Sequence, residues 1–129
     1  MSDKDYFTPL HMKVATFNAN SIRSRLPVVQ KWIAAARPDI LCLQETKTPD
    51  ELFPASAFGQ LGYSVCHKGQ KGYNGVAVVS KKPADKVSCG LGDAPEADES
   101  RLIYVKFGPL HIVNAYVPQG REITHRMYR

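Results

Sequence analysis

Ile40-Leu41-Cys42-Leu43 is the most restrictive stretch of this chain. Four consecutive apolar residues follow Arg37-Pro38-Asp39 and run into Gln44-Glu45-Thr46-Lys47. A strand sends successive side chains to opposite faces, so an unbroken apolar run needs cover on both sides. The expected strand covers Asp39 to Glu45, inside a layered structure. Cys42 reads there as a buried small hydrophobe. With Cys66 and Cys89 it makes three widely spaced cysteines and no CxxC pair. Neither a zinc cluster nor a disulfide framework is indicated, and a reducing, cytoplasmic location follows.

The flanking pattern supplies the layers. Residues 1–12 read as a flexible leader. Lys13-Val14-Ala15-Thr16-Phe17-Asn18 is β-branched and aromatic, hence a strand. A helix is expected from Arg25 to Arg37, with Ser24 as N-cap and Pro27 tolerated in the first turn. Leu26, Val29, Ile33 and Ala36 share one face at helical spacing. Pro38 ends the helix, because the residue before proline avoids the α region. A short helix is expected over Asp50 to Gln60, then strands at Tyr63–His67, Gly75–Ser80, Val87–Cys89, Leu102–Phe107 and His111–Val117. Gly108-Pro109 marks a hairpin turn, and the loop with Asp93, Glu96, Asp98 and Glu99 reads as solvated. The order is mixed α/β, with mostly antiparallel pairing after an initial βαβ-like unit.

At 129 residues the chain is one domain or part of one. No apolar run approaches the roughly 20 residues that span a bilayer. The first dozen residues carry Asp3, Lys4 and Asp5 and no apolar core, unlike a secretory signal. Net charge is +5, and the basic excess sits in the second half, where residues 66–129 hold 10 basic and 6 acidic side chains. That balance suits an anionic partner. Trp32 and Tyr63 read as core or rim packing, and His67 and His111 as structural; His125 is assigned no role.

Polar side chains follow both long strands, as Phe17-Asn18-Ala19-Asn20 and Leu43-Gln44-Glu45-Thr46-Lys47. Ligand crevices of α/β sheets form at such strand ends. On spacing alone Glu45 reads either as a solvated strand end or as a ligand for a hard cation.

Five segments in order resemble the exonuclease III-like apurinic/apyrimidinic endonucleases, within a superfamily that includes deoxyribonuclease I and inositol polyphosphate phosphatases. They are Phe17-Asn18-Ala19-Asn20-Ser21-Ile22-Arg23-Ser24-Arg25, Leu43-Gln44-Glu45-Thr46-Lys47, Lys68-Gly69-Gln70-Lys71-Gly72-Tyr73-Asn74-Gly75-Val76-Ala77, Ser100-Arg101-Leu102-Ile103 and Asn114-Ala115-Tyr116-Val117-Pro118-Gln119-Gly120. The resemblance implies a four-layer α/β sandwich, of which residues 13–129 form the N-terminal half. It implies Glu45 and Asn18 at a catalytic Mg²⁺ (or Mn²⁺), and Tyr116 on the scissile phosphate. Asn20 lines the same site. Arg23, Lys47, Lys68, Gln70, Lys71 and Arg101 are the expected phosphate or DNA contacts; Lys47, Gln70, Lys71 and Arg101 read equally as solvated surface groups. The implied reaction is Mg²⁺-dependent hydrolysis 5′ to abasic sites in double-stranded DNA, with removal of nucleotides from 3′ ends, by a protein that is monomeric at full length.

The family's later motifs are missing. No aspartate beyond Asp85 is followed two residues later by asparagine, and no histidine has aspartate directly before it. Two readings therefore stand: the N-terminal half of a DNA-repair nuclease, or a truncated, inactive chain that at most binds nucleic acid. Half a two-sheet sandwich is also expected to leave apolar surface uncovered.

Overall fold

The computed structural model describes residues 11–89 and 100–118. The leader up to residue 10, the acidic loop with Asp93 to Glu99, Gln119-Gly120 and His125 lie outside the described residues.

Strand β1 (Val14–Asn18) leads into helix α1 (Ile22–Ala36), and β2 (Ile40–Gln44) returns parallel to β1 with Val14 opposite Ile40 and Asn18 opposite Gln44. A 3₁₀ turn (Asp50–Leu52) and short helix α2 (Ala55–Gly59) precede β3 (Ser64–Lys68) and β4 (Val76–Ser80). Strands β5 (Lys86–Cys89), β6 (Leu102–Phe107) and β7 (Leu110–Ala115) complete the described chain. One sheet has the order β1-β2-β4-β3 and the other β5-β6-β7, with every pair antiparallel except β1–β2.

The apolar run in β2 divides as its period requires. Leu41 and Leu43 pack with Val29, Ile33, Phe58, Tyr63 and Val79 beneath the helices. Ile40 and Cys42 pack with Val76, Val78, Ile103, Val105 and Phe107 between the sheets. Burying one such side chain stabilises the fold by about 1.5–3 kcal/mol, so β2 anchors both cores. The described residues form three layers: helices, four-stranded sheet and three-stranded sheet.

Two helix expectations are corrected. The first helix starts at Ile22, and its cap is Ser21, whose Oγ accepts from the Ser24 N–H at 3.4 Å. Tertiary bonds set that start: the N–H groups of Ser21 and Ile22 donate to the Glu45 and Thr46 carbonyls at 2.8 and 3.1 Å. Pro27 therefore lies inside α1 rather than in its first turn, on the exposed side. The predicted face is as expected, with Val29 and Ile33 buried and Leu26 packed against them. The expected helix over Asp50–Gln60 is split at Phe53-Pro54, since Phe53 precedes proline and is extended.

Tyr63 is buried, and its hydroxyl donates to the Pro38 carbonyl at 2.6 Å. Trp32 lies at a rim. It lines, with Phe17 and Val28, an apolar groove of about 230 Å³ beside β1, the edge strand of its sheet. Val14, Phe17, Val28 and Trp32 are each at least 40% exposed. No helix among the described residues is long and apolar enough to cross a membrane.

Candidate active site

Because β1 and β2 are parallel and in register, their C-terminal ends bring Asn18 and Gln44-Glu45 side by side. The neighbouring segments are tied to them. Ala19 N–H donates to the Gln44 carbonyl at 2.8 Å, and Lys47 N–H to the Asn74 carbonyl at 2.9 Å. Gly75 N–H reaches the Ser100 carbonyl at 2.9 Å, and Tyr116 N–H the Arg101 carbonyl at 2.7 Å. The turns after β1 and β2, the entries to β4 and β6 and the exit from β7 thus meet at one end of the sandwich.

Backbone strain concentrates there. Among the described residues, the non-glycine positions with positive φ are Asn20, Ser21, Glu45, Lys47, Asn74 and Ser100, all at this end, and Arg37 at the C-cap of α1. Residues held in this sparsely populated region persist only where the surroundings over-determine them, and they cluster at functional sites. Gly75, at φ +100°, also leaves the space that Thr46 Oγ1 fills, where a Cβ would collide with it.

The side chains form a connected polar group. Asn18 Nδ2 donates to Glu45 Oε1 at 2.7 Å, and Asn18 Oδ1 accepts from the Asn20 N–H at 3.0 Å. Lys47 Nζ donates to Asn20 Oδ1 at 2.6 Å and lies 3.7 Å from Glu45 Oε2. The Tyr116 hydroxyl hydrogen-bonds to the Glu45 carboxylate. Burial raises the Tyr116 hydroxyl above the usual phenol range, Glu45 adds to the rise, and the Arg101 guanidinium opposes it. The cluster therefore combines one carboxylate, suited to a cation, with two carboxamides, a phenol and two cationic side chains, suited to a ligand rich in anionic oxygen.

Of the sequence-predicted residues, Asn18, Asn20, Glu45, Lys47, Tyr116 and Arg101 come together. Arg23, in the first turn of α1, and Lys71 are exposed, while Lys68 at the end of β3 and Gln70 are half-buried; Gln70 and Lys71 stand on the loop between β3 and β4. Sequence reasoning gave Gln44 and Asn114 no role. Gln44 Nε2 donates to Thr16 Oγ1 and to Asn114 Oδ1, both at 2.8 Å. Buried Asn114 donates to the Leu43 and Ala77 carbonyls at 2.9 and 2.8 Å, which locks β7 against the strands bearing the site. A buried carboxamide can do this because it carries donors and acceptor together. The sequence signal was an amide in each of two family-like segments, with no role attached to it.

A second polar set lies behind Glu45. Thr46 is fully buried, with Oγ1 2.9 Å from His67 Nε2. His67 Nδ1 is 2.7 Å from Asp50 Oδ1, and the ring centroid is 4.2 Å from that of Phe53. Burial lowers the His67 pKa below its ordinary 6.5, while Asp50 pulls it up. The structural reading of His67 stands, with more partners than its strand position indicated.

A hard cation fits the donor set. Mg²⁺ is commonly held through one or two carboxylates, with waters and substrate phosphate oxygens completing its shell. Glu45 is such a carboxylate, with a side chain 22% exposed and so within reach of solvent. No group of three or more His, Cys, Asp or Glu side chains placed to hold a metal occurs among the described residues.

Comparison with known proteins places these features in context. Exodeoxyribonuclease III of Haemophilus influenzae is 37% identical over 118 residues, covering 88% of this chain and 44% of that protein. The DNA-(apurinic or apyrimidinic site) endonuclease of Dictyostelium discoideum is 31% identical, covering 84% of this chain and 31% of its own length. An AP endonuclease structure from Archaeoglobus fulgidus superposes with a TM-score of 0.85 at 48% identity, covering 91% of this chain and 45% of that one. The 3′ phosphatase NExo from Neisseria, bound to a product DNA hairpin, has a TM-score of 0.85 at 38% identity, covering 91% and 46%. The chain spans less than half the length of these relatives. The profile of the endonuclease/exonuclease/phosphatase family matches residues 15–126, and with the shared fold this means that the chain belongs to that family.

Proposed function

We propose that this chain carries the phosphate-binding and metal-binding side of a DNA-repair phosphodiesterase site. The observation that carries the reading is the group at the ends of β1 and β2, in which Asn18 orients Glu45 and Lys47 orients Asn20. In this reading Glu45 and Asn18 hold Mg²⁺ or Mn²⁺. When bound, the cation supplies charge stabilisation for a phosphodiester that gains negative charge during attack. Tyr116 donates its hydroxyl hydrogen bond to the scissile phosphate in place of Glu45. Asn20 and Lys47 fix a phosphate oxygen beside it. Arg23, Lys68, Gln70, Lys71 and Arg101 contact the flanking backbone of double-stranded DNA, which positions the duplex without reading its sequence.

The substrate proposed is duplex DNA with an abasic site or a 3′ end, cut on the 5′ side of the lesion or digested from the end. The names of the relatives, exodeoxyribonuclease III and an apurinic or apyrimidinic endonuclease, support this. Three free thiols suit a reducing compartment such as the cytoplasm.

Attack on a phosphodiester also needs a group that orients or deprotonates water. The 129 residues hold no Asp-x-Asn beyond Asp85 and no Asp-His pair. The chain by itself is therefore proposed to bind DNA and cation but not to cut. The test is an incision assay on abasic duplex with Mg²⁺, alongside DNA binding by anisotropy, using this chain and Glu45→Ala. Salt-sensitive binding without incision, and cation binding lost in Glu45→Ala, is the expected result. No DNA binding at low salt, or cation affinity unchanged in Glu45→Ala, overturns the assignment.

A further inference from the structure

The turn that presents Glu45 is built from two strained residues around one buried hydroxyl. Glu45 has φ +54° and Lys47 φ +55°, a region that non-glycine residues rarely occupy. Thr46 between them is fully buried. The backbone bonds of the turn are Ser21 N–H to Glu45 O at 2.8 Å, Ile22 N–H to Thr46 O at 3.1 Å, Thr46 N–H to Gly75 O at 3.3 Å and Lys47 N–H to Asn74 O at 2.9 Å. The Thr46 hydroxyl lies 2.9 Å from His67 Nε2, within hydrogen-bond distance.

His67 is itself held from the other side. Its Nδ1 meets Asp50 Oδ1 at 2.7 Å, and the same oxygen accepts the Gly69 N–H at 2.8 Å. Phe53 packs on the ring, and a Cβ at Gly69 would collide with the ring and with the Thr48 carbonyl. A carboxylate only accepts, so Asp50 requires the ring proton on Nδ1. Nε2 of the neutral ring then carries a lone pair, and the Thr46 hydroxyl becomes the donor. Through its 2.7 Å contact with Nδ1, the Asp50 carboxylate sets the ring tautomer and with it the direction of the Thr46–His67 hydrogen bond, and it lies outside the polar group around Glu45.

We infer that Asp50, His67 and Thr46 form a positioning relay that pins the strained Glu45-Thr46-Lys47 turn and so holds the Glu45 carboxylate against Asn18. None of the three is among the residues proposed to hold substrate or cation. The relay matters for cation binding only if Glu45 is the ligand, as proposed above, whereas its effect on the turn is independent of that reading.

The test compares Thr46→Val, which keeps the shape and removes the hydroxyl, with Thr46→Ser, which keeps the hydroxyl. Three measurements on the whole chain are read: the His67 tautomer by ¹⁵N NMR, amide hydrogen exchange at Ser21 and Lys47, and Mn²⁺ affinity by electron paramagnetic resonance. The expected wild-type ring has its proton on Nδ1 and a bare Nε2. Thr46→Val is expected to speed exchange at both amides at least tenfold and weaken Mn²⁺ at least tenfold, with Thr46→Ser within threefold of wild type. A proton on Nε2 in the wild type, or unchanged exchange in Thr46→Val, overturns the relay. Faster exchange with unchanged Mn²⁺ affinity supports the relay and counts against Glu45 as the ligand.

Discussion

Replacing Asn114 by alanine should weaken the join between the two sheets where the candidate site is built. Asn114 is 3% exposed and sits on β7, between the sheets. Its carboxamide donates to the Leu43 and Ala77 carbonyls at 2.9 and 2.8 Å and accepts from Gln44 at 2.8 Å. Asn114→Ala removes all three bonds. A neutral hydrogen bond contributes about 1 kcal/mol net, and a buried polar group left unpaired costs about 1–3 kcal/mol. Gln44 keeps Thr16 as a partner, so most of the loss falls on the two carbonyls. The expected destabilisation is about 2–4 kcal/mol, a large share of the 5–15 kcal/mol typical of a domain. In thermal terms that is a fall in Tm on the order of 10 °C. Urea unfolding followed by circular dichroism measures it, with a lower midpoint and an unchanged slope. Asn114→Asp is the companion variant. It keeps the volume but points acceptors at two carbonyl oxygens, so its destabilisation should deepen as pH rises through the carboxylate range. A loss below about 0.5 kcal/mol for Asn114→Ala would refute the reasoning, since an amide with three partners at these distances cannot be energetically silent.

The pH dependence of stability should be two-sided. His67 is held below its ordinary 6.5 by burial, so the unfolded chain takes up the proton first and stability falls as pH drops below about 6.5. The Cys42 thiol is pushed from 9.0 up to about 11 by burial, so the unfolded chain ionises first and stability falls as pH rises from 9 towards 11. Denaturation midpoints across pH 5 to 11 check both limbs, and a flat profile would contradict them. For DNA binding, Lys71→Ala should make the slope of log affinity against log salt less steep by about 0.9. Unchanged affinity and slope would remove the loop between β3 and β4 from the proposed footprint.

Much of the layering was legible in sequence because it rests on periodicity. The run Ile40–Leu43 demanded cover on two faces, and its residues divide between the two cores as a period of two requires. The face Leu26, Val29 and Ile33 was likewise readable from helical spacing. The start of α1 was not legible. Ser21 and Ser24 are both good caps on local grounds, and the choice came from bonds to the Glu45 and Thr46 carbonyls, more than twenty residues away in the chain. The same limit applied to the 50–60 segment, where Pro54 carried the local signal but helical composition concealed the break.

The candidate site divides along the same line. Motif residues such as Asn18, Glu45 and Tyr116 were nameable because their types and order match a family pattern, and strand ends are where α/β folds collect ligands. Which of the basic residues join them was decided only in three dimensions. Lys47 reaches Asn20 and Glu45, whereas Arg23, with the same charge, points from an exposed helical position. Asn114 and Thr46 stand in family-like segments, but their roles and those of His67 and Asp50 were not legible, because a buried polar side chain is defined by its partners. Those partners come from segments up to 71 residues apart. Hydrophobic period is a local property that one strand or helix carries alone, while polar satisfaction is a property of the closed fold.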